Sequence, residues 1–329
     1  SALPGERFVG AIRVGIQHVS QSQHMRVVLV RIFVFFLNST ALLALMPLLA
    51  RRFEGGGAGT YTLMLACMGS GAVLTGLVLP RLRDALNRDQ LVHYGTLSHA
   101  LATLIVALAP NAWVAAPAMA LGGAGWIATA NSLTLSAQLA LPDWVRARGM
   151  AIYQTALMAG AAGGAALWGQ IASFSSLRSA LLGAAGSALL MQIALRRWGV
   201  EALGDQDLTP QHELTQPTLG REIGDDEGPV MISIEYLIDP ADADEFVEVM
   251  RESRRSRLQQ GALSWSLFRD AADDSHWQEV IVDESWVEHL RRFDRMTAGD
   301  LRLRNRRLAL HRGAEPPRIT RVLGQSLRD

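Results

Sequence analysis

Six apolar stretches in succession, at residues 25–50, 60–80, 91–110, 113–140, 149–173 and 179–195, limit what this chain can fold into more than any other feature. At about 1.5 Å of rise per residue, twenty helical residues span roughly 30 Å, the depth of bilayer hydrocarbon. In lipid every backbone N–H and C=O must be satisfied internally, which a helix does by itself. No charged side chain occurs from Met150 to Leu177. One such run is compatible with a buried core helix, whereas six in series predict a membrane-spanning bundle.

Charge divides the chain at the end of the sixth stretch. The total of 31 basic and 31 acidic residues conceals 14 arginines against five carboxylates up to Val200, and 17 arginines against 26 carboxylates beyond it. All basic residues are arginine. Two environments along one chain follow. In the first half, Arg7, Arg13, Arg26, Arg31, Arg81, Arg83, Arg88, Arg146, Arg148, Arg196 and Arg197 lie at one set of helix ends, and Arg51, Arg52 and Arg178 at the other. That asymmetry predicts both ends of the region in the cytoplasm of a bacterial inner-membrane protein. Cys67 is the only cysteine, so neither a disulfide framework nor a cysteine metal site is available. Polar residues at the N-terminus rule out a signal peptide there. The chain begins without methionine, and further sequence is expected upstream.

Small residues repeat on the fifth stretch, where Gly160 and Gly164 are four apart, a spacing that lets helix backbones approach closely. Polar side chains within the spans are few. Asn131, Gln138 and Gln154, with Trp126 beside them, are the candidate lining of a substrate path, and His99 is a candidate proton carrier. No carboxylate lies deep in any span; proton coupling, if present, is expected to use one elsewhere. The connection residues Arg81, Arg83, Asp84, Arg88, Arg146 and Arg148 are candidate gating residues. No catalytic or metal-ligating set is expected, and no phosphate-binding loop occurs that would power transport with ATP.

Residues 199–229 read as a polar linker. Thereafter Ile232, Ile234, Tyr236 and Ile238 alternate as a strand, and Asp239-Pro240 opens a helix that ends at Gly261. Leu263, Trp265 and Leu267, then Val280 and Val282, form a predicted hairpin. Ser285 with Glu288 predicts a second helix from Trp286, and a last strand falls near 318–323. The order β-α-β-β-α-β is that of a ferredoxin-like α+β domain over 230–325. Arg302, Arg304, Arg306 and Arg307 read as a basic surface in an acidic domain, not as a nucleic-acid site.

Two blocks carry a family resemblance. One is Pro142-Asp143-Trp144-Val145-Arg146-Ala147-Arg148-Gly149-Met150-Ala151 followed by Tyr153-Gln154; the other is the Gly160, Gly163, Gly164 cluster leading to Leu167-Trp168-Gly169. With Gly76, Arg81, Arg83, Asp84 and Arg88 they resemble the C-terminal half of a major facilitator superfamily permease, within the transmembrane secretion effector (enterobactin-exporter-like) family. The resemblance implies that 1–24 is the end of a cytoplasmic linker and that 25–198 is the second six-helix bundle of a twelve-helix secondary transporter. Its expected partners are the lipid bilayer, a small-molecule siderophore- or drug-like cargo and a missing N-terminal half. The tail resembles an antibiotic biosynthesis monooxygenase-like domain of the dimeric α/β-barrel type. On that likeness Trp265, Trp286 and His289 are candidate pocket residues and homodimerisation is expected. No cofactor is expected, haem included. The alternatives are a membrane-tethered monooxygenase-like enzyme and a non-catalytic dimerisation or regulatory domain anchored by the helices.

Overall fold

The computed structural model describes residues 3–53, 55–199, 207–211 and 223–325. Its helices begin with α1 (Phe8–Gln21), α2 (Gln23–Ala44), α3 (Met46–Arg52), α4 (Ala58–Ala85) and α5 (Arg88–Leu108). They continue with α6 (Ala112–Leu139), α7 (Asp143–Phe174) and α8 (Leu177–Ala194). Then follow β1 (Val230–Leu237), α9 (Ala243–Gln259), β2 (Ser264–Arg269), β3 (His276–Asp283), α10 (Trp286–Asp294), α11 (Ala298–Ala309) and β4 (Arg318–Leu323). The chain divides into two units. One holds residues 23–140 and 150–205; the other holds 1–22, 141–149 and 206–329.

The first unit is helical. Six helical segments are long and apolar enough to cross a membrane, the first formed by α2 and α3 together. Pro47 falls in the first turn of α3, where its missing N–H would have no helical partner anyway. Other starts are capped: Asn87 and Gln90 form a reciprocal capping box on α5, and Ser176 and Ser179 one on α8. Packing rests on close backbone approach. A methyl group at Gly71 of α4 would collide with the Ala120 carbonyl of α6, and one at Gly123 of α6 with the Met68 carbonyl of α4. Gly125 presses in the same way on Gly95 of α5. Such contacts serve helices that gain little from burying apolar surface against one another in lipid. Leu42, Met46, Leu49, Met64, Met119 and Leu181 fill the interior.

The second unit contains a four-stranded antiparallel sheet in the order β2-β3-β1-β4. Ile232 stands opposite Ile281 on one side and Arg321 on the other. Helix α9 turns Phe246, Val249, Met250 and Ser253 inward, the i, i+3, i+4, i+7 stripe of an amphipathic helix. Gly261, at φ +109°, follows that helix in a conformation few other residues adopt.

Three features differ from the sequence reading. The helix expected from Trp286 is two helices, because Thr297 caps a new start through a reciprocal box with Asp300. Residues 8–21, read as linker, are helical; Val14, Gly15, His18 and Val19 are buried. Within this unit Gln17 donates to the Ala262 carbonyl at 2.6 Å, and the His18 ring meets Trp144 edge-on at 5.3 Å. Residues 207–211, also read as linker, pair with the domain, with Pro210 bridging Thr297. Two other parts of that linker, 200–206 and 212–222, lie outside the described residues.

Candidate functional sites

Within the helical unit, α2, α5, α6 and α8 line a small cavity of about 30 Å³, room for about one water. Arg31, Asn38, Ser39, Thr96, His99 and Gln192 are on its wall. His99 is buried, with Nδ1 2.9 Å from the Gly122 carbonyl and Nε2 3.3 Å from that of Ser39. A neutral imidazole has one N–H and so donates to only one of them. Asn38 donates to the Val34 carbonyl at 2.8 Å and accepts from Ser187 of α8. Arg31 joins three elements: its guanidinium lies 3.5 Å from Asp89 and donates to the carbonyls of Leu195 (3.0 Å) and Trp198 (2.7 Å). Those carbonyls belong to the short turn that follows α8, a helix end where a cation is favoured.

The amides singled out in the sequence lie elsewhere. Asn131, Gln138 and Gln154 are exposed on the unit's surface and do not line the cavity. Asn131 and Gln138 are seven apart on α6 and share a face, and Asn131 accepts from Arg83 at 3.1 Å. Trp126 is half-buried, its ring 5.8 Å from that of Phe36. Methyl groups at Gly160 and Gly164 would collide with the carbonyls of Phe33 and Leu37 on α2. Trp168, one turn further on, donates to the Leu37 carbonyl at 2.7 Å.

The arginines named as gating candidates fall in different units. Arg81, Arg83 and Asp84 are exposed at the end of α4, and Arg88 is half-buried at the start of α5. Arg146 and Arg148 belong to the unit with the sheet. Arg146 pairs with Asp143 at 2.5 Å. Arg148 pairs with Glu6, which also takes Arg295 at 3.0 Å. Burial opposes ionisation of Glu6, but Arg295 and Arg148 outweigh it and hold the carboxyl below its usual range. The Arg295 guanidinium also lies over the Trp144 ring, 5.0 Å from its centre.

The sheet domain holds the most closely knit polar cluster. His289 is buried, with Nδ1 2.9 Å from an Asp283 oxygen, and Arg292 spans both oxygens of Asp283 at 2.9 Å each. Arg321 donates through Nε to His289 Nε2 at 3.1 Å. Since Nε2 accepts, Nδ1 carries the proton and donates to Asp283, so the ring is neutral. Burial, the main influence, lowers the basicity of this imidazole despite Asp283. Asp283 itself is kept ionised: burial raises its pKa, and Arg292 and His289 more than reverse that. Trp286 packs against the His289 ring at 5.3 Å between centres. Trp265 instead donates to Glu279 at 2.8 Å. Of the three candidate pocket residues, only His289 lines the domain's cavity.

Sequence reasoning missed Asp283 and Glu279. Both share a face of β3 with Ile281, and that face is the buried one. The reading drew this strand from the alternation of Val280 and Val282, which lie on its opposite face. Among the described residues no group of three or more His, Cys, Asp or Glu side chains is placed to hold a metal ion.

A family model described as transmembrane secretion effector matches residues 1–328. No curated protein and no solved structure matches the chain.

Proposed function

This chain belongs to the transmembrane secretion effector family, a group of membrane permeases of the major facilitator type, and on that premise we propose that it exports a small molecule as one six-helix bundle of a two-bundle secondary transporter. The observation that carries the reading is the set of six membrane-length helices joined by glycine-mediated backbone contacts. Such transporters rock one bundle against another around a site between them. The exposed amides of α6 and α7, Asn131, Gln138 and Gln154, suit a surface facing that path, where lipid would leave them unsatisfied. The arginine-rich ends support a cytoplasmic position for both termini.

The sheet domain's strand order, with α9 after β1 and α10 and α11 between β3 and β4, supports the ferredoxin-like reading. Val282, Met231 and Val322 are in register across three strands on the face away from the core, and Met231 and Val322 are exposed. That apolar row supports pairing with a second copy.

Export is tested in the cells that make the protein. Deleting its gene should shift at least one small metabolite from medium to cell interior, read by comparative mass spectrometry of the two fractions. Unchanged partitioning of every metabolite would contradict the transport reading. Orientation has its own test. With Cys67→Ser as background, Ala85→Cys should react with a membrane-impermeant maleimide only in inside-out vesicles, and Gly57→Cys only in right-side-out ones. The reverse pattern would invert the proposed topology.

A further inference from the structure

The cavity in the sheet domain measures about 270 Å³, close to the lower end of small-molecule sites. Its floor is apolar, formed by Ile232 and Ile234 of β1 and Ile281 of β3. Around that floor stand five arginines: Arg257, Arg292, Arg304, Arg307 and Arg321. Among the described residues no carboxylate lines the wall. Two lie behind it. Glu279 serves Arg257 at 3.3 Å and Arg307 at 3.8 Å, and Asp283 serves Arg292. A third, Asp300, also acts on Arg257, so among the described residues five cations face three anions. Among the described residues, Arg304 and Arg321 have no carboxylate partner; Arg321 donates only to the neutral His289.

Part of this charge is held where it is costly. Arg292 and Arg307 are each more than nine-tenths buried, and the Nε of each has no hydrogen-bond partner. Burial is the main influence lowering the basicity of Arg292, Arg307 and Arg321, and neighbouring guanidiniums add to it: Arg257 for the first two, Arg292 for the third. Buried guanidiniums with unmet donors, crowded by like charge, are costly for a fold to retain. A polar rim of like charge over an apolar floor is satisfied by a molecule with an oxyanion at one end and a hydrocarbon body at the other. Guanidiniums hold carboxylates and related oxyanions through paired, charge-assisted hydrogen bonds.

We infer that this cavity is a binding site for a small organic acid, with an apolar, ring-sized body against Ile232, Ile234 and Ile281 and its carboxylate among Arg304, Arg321 and the inner guanidiniums. The inference does not depend on the transport reading, since it concerns the sheet domain alone.

The test uses the full chain, purified in a non-ionic detergent, and three probes: benzoate, 2-naphthoate and the uncharged 2-naphthalenemethanol. Quenching of tryptophan fluorescence reports binding, with Trp286 beside the His289 wall. 2-Naphthoate should bind saturably, and the alcohol at least roughly tenfold more weakly. Arg321→Gln removes a guanidinium with no carboxylate partner and should weaken 2-naphthoate roughly tenfold, the scale of one charged hydrogen bond. Should that variant lose its fold by circular dichroism, Arg304→Gln takes its place with the same expectation. Arg306→Gln, at an exposed ion pair with Glu252 outside the cavity, should leave affinity unchanged. Saturable binding by neither acid, equal affinity for the alcohol, or unchanged affinity in the folded arginine variant would each overturn the inference.

Discussion

Glu279→Ala should cost the sheet domain about 3–5 kcal/mol, the scale on which breaking a buried ion pair destabilises a protein. Four groups converge on this fully buried carboxylate. Tyr236 donates at 3.0 Å, Trp265 at 2.8 Å and Arg257 at 3.3 Å, and Arg307 lies 3.8 Å away. Truncation strips a buried and a half-buried guanidinium of their counter-charge and two aromatic donors of their acceptor. Glu279→Gln keeps an acceptor for Tyr236 and Trp265 but not the charge, so its loss should be smaller. The same residue gives the domain an acid limit. Burial alone would raise its pKa, but Arg257 and Arg307 bring it from 4.5 down to about 2. A depressed carboxyl stabilises the fold fully above its unfolded value and progressively less as pH falls through the folded one. Its contribution should therefore fade between about pH 4.5 and 2, and Glu279→Gln should abolish that part of the acid sensitivity. Hydrogen exchange of β1 and β3 in the detergent-solubilised chain measures both effects as opening free energies. Exchange in Glu279→Ala matching wild type to within about 1 kcal/mol would show that the cluster is not a stabilising one.

The second large effect is expected in the helical unit. Gly71 and Gly123 form a reciprocal contact in which each α-carbon faces a carbonyl of the opposite helix. Gly71→Ala or Gly123→Ala must move α4 and α6 apart, since the obstruction is backbone and not a side chain that can rotate away. Overpacking of this kind costs about 1–3 kcal/mol, and more where the backbone itself must move. The double variant should cost less than the sum, because either substitution alone opens the shared crossing. Gly69 and Gly76, on the same helix as Gly71, have no neighbour within 4 Å of an added methyl. Alanine there should be neutral or slightly stabilising, through its better helix propensity. Thermal unfolding of the four single variants and the double variant in detergent provides the comparison. If Gly71→Ala and Gly76→Ala melt together, the close crossing is not what holds these helices.

The coarse organisation was legible because it rests on local signals. Length and unbroken apolarity placed the spans, and alternation around Ile232, Ile234 and Tyr236 placed β1. Arg318–Leu323 is the last strand, where the sequence put it. Signals that depend on partners were lost. The stripe Val14, His18, Val19 was present in residues 8–21, but its polar neighbours masked it, and it became informative only with its packing against Gln259 and Ala262. Thr297 and Asp300 carried a capping signature that ended one helix and began another. The arginine-lined cavity was illegible for a stronger reason. Arg257, Arg292, Arg307 and Arg321 come from α9, α10, α11 and β4, and no spacing in the chain announces that they meet. Read along the sequence, Arg304 and Arg307 belonged to a basic surface; Arg307 is buried instead.

That every cation around this cavity is arginine sets how it responds to its medium. A lysine in such a place could shed its proton and become neutral, whereas a guanidinium holds its charge throughout the range in which proteins stay folded. His289, the one imidazole on the wall among the described residues, is already neutral through its bonds to Asp283 and Arg321. The cations of the receptor are therefore electrically fixed near neutral pH, and the group that titrates at acid pH is the guest's own carboxylate. Affinity should follow the guest's own ionisation curve: constant above its acid constant and declining below it.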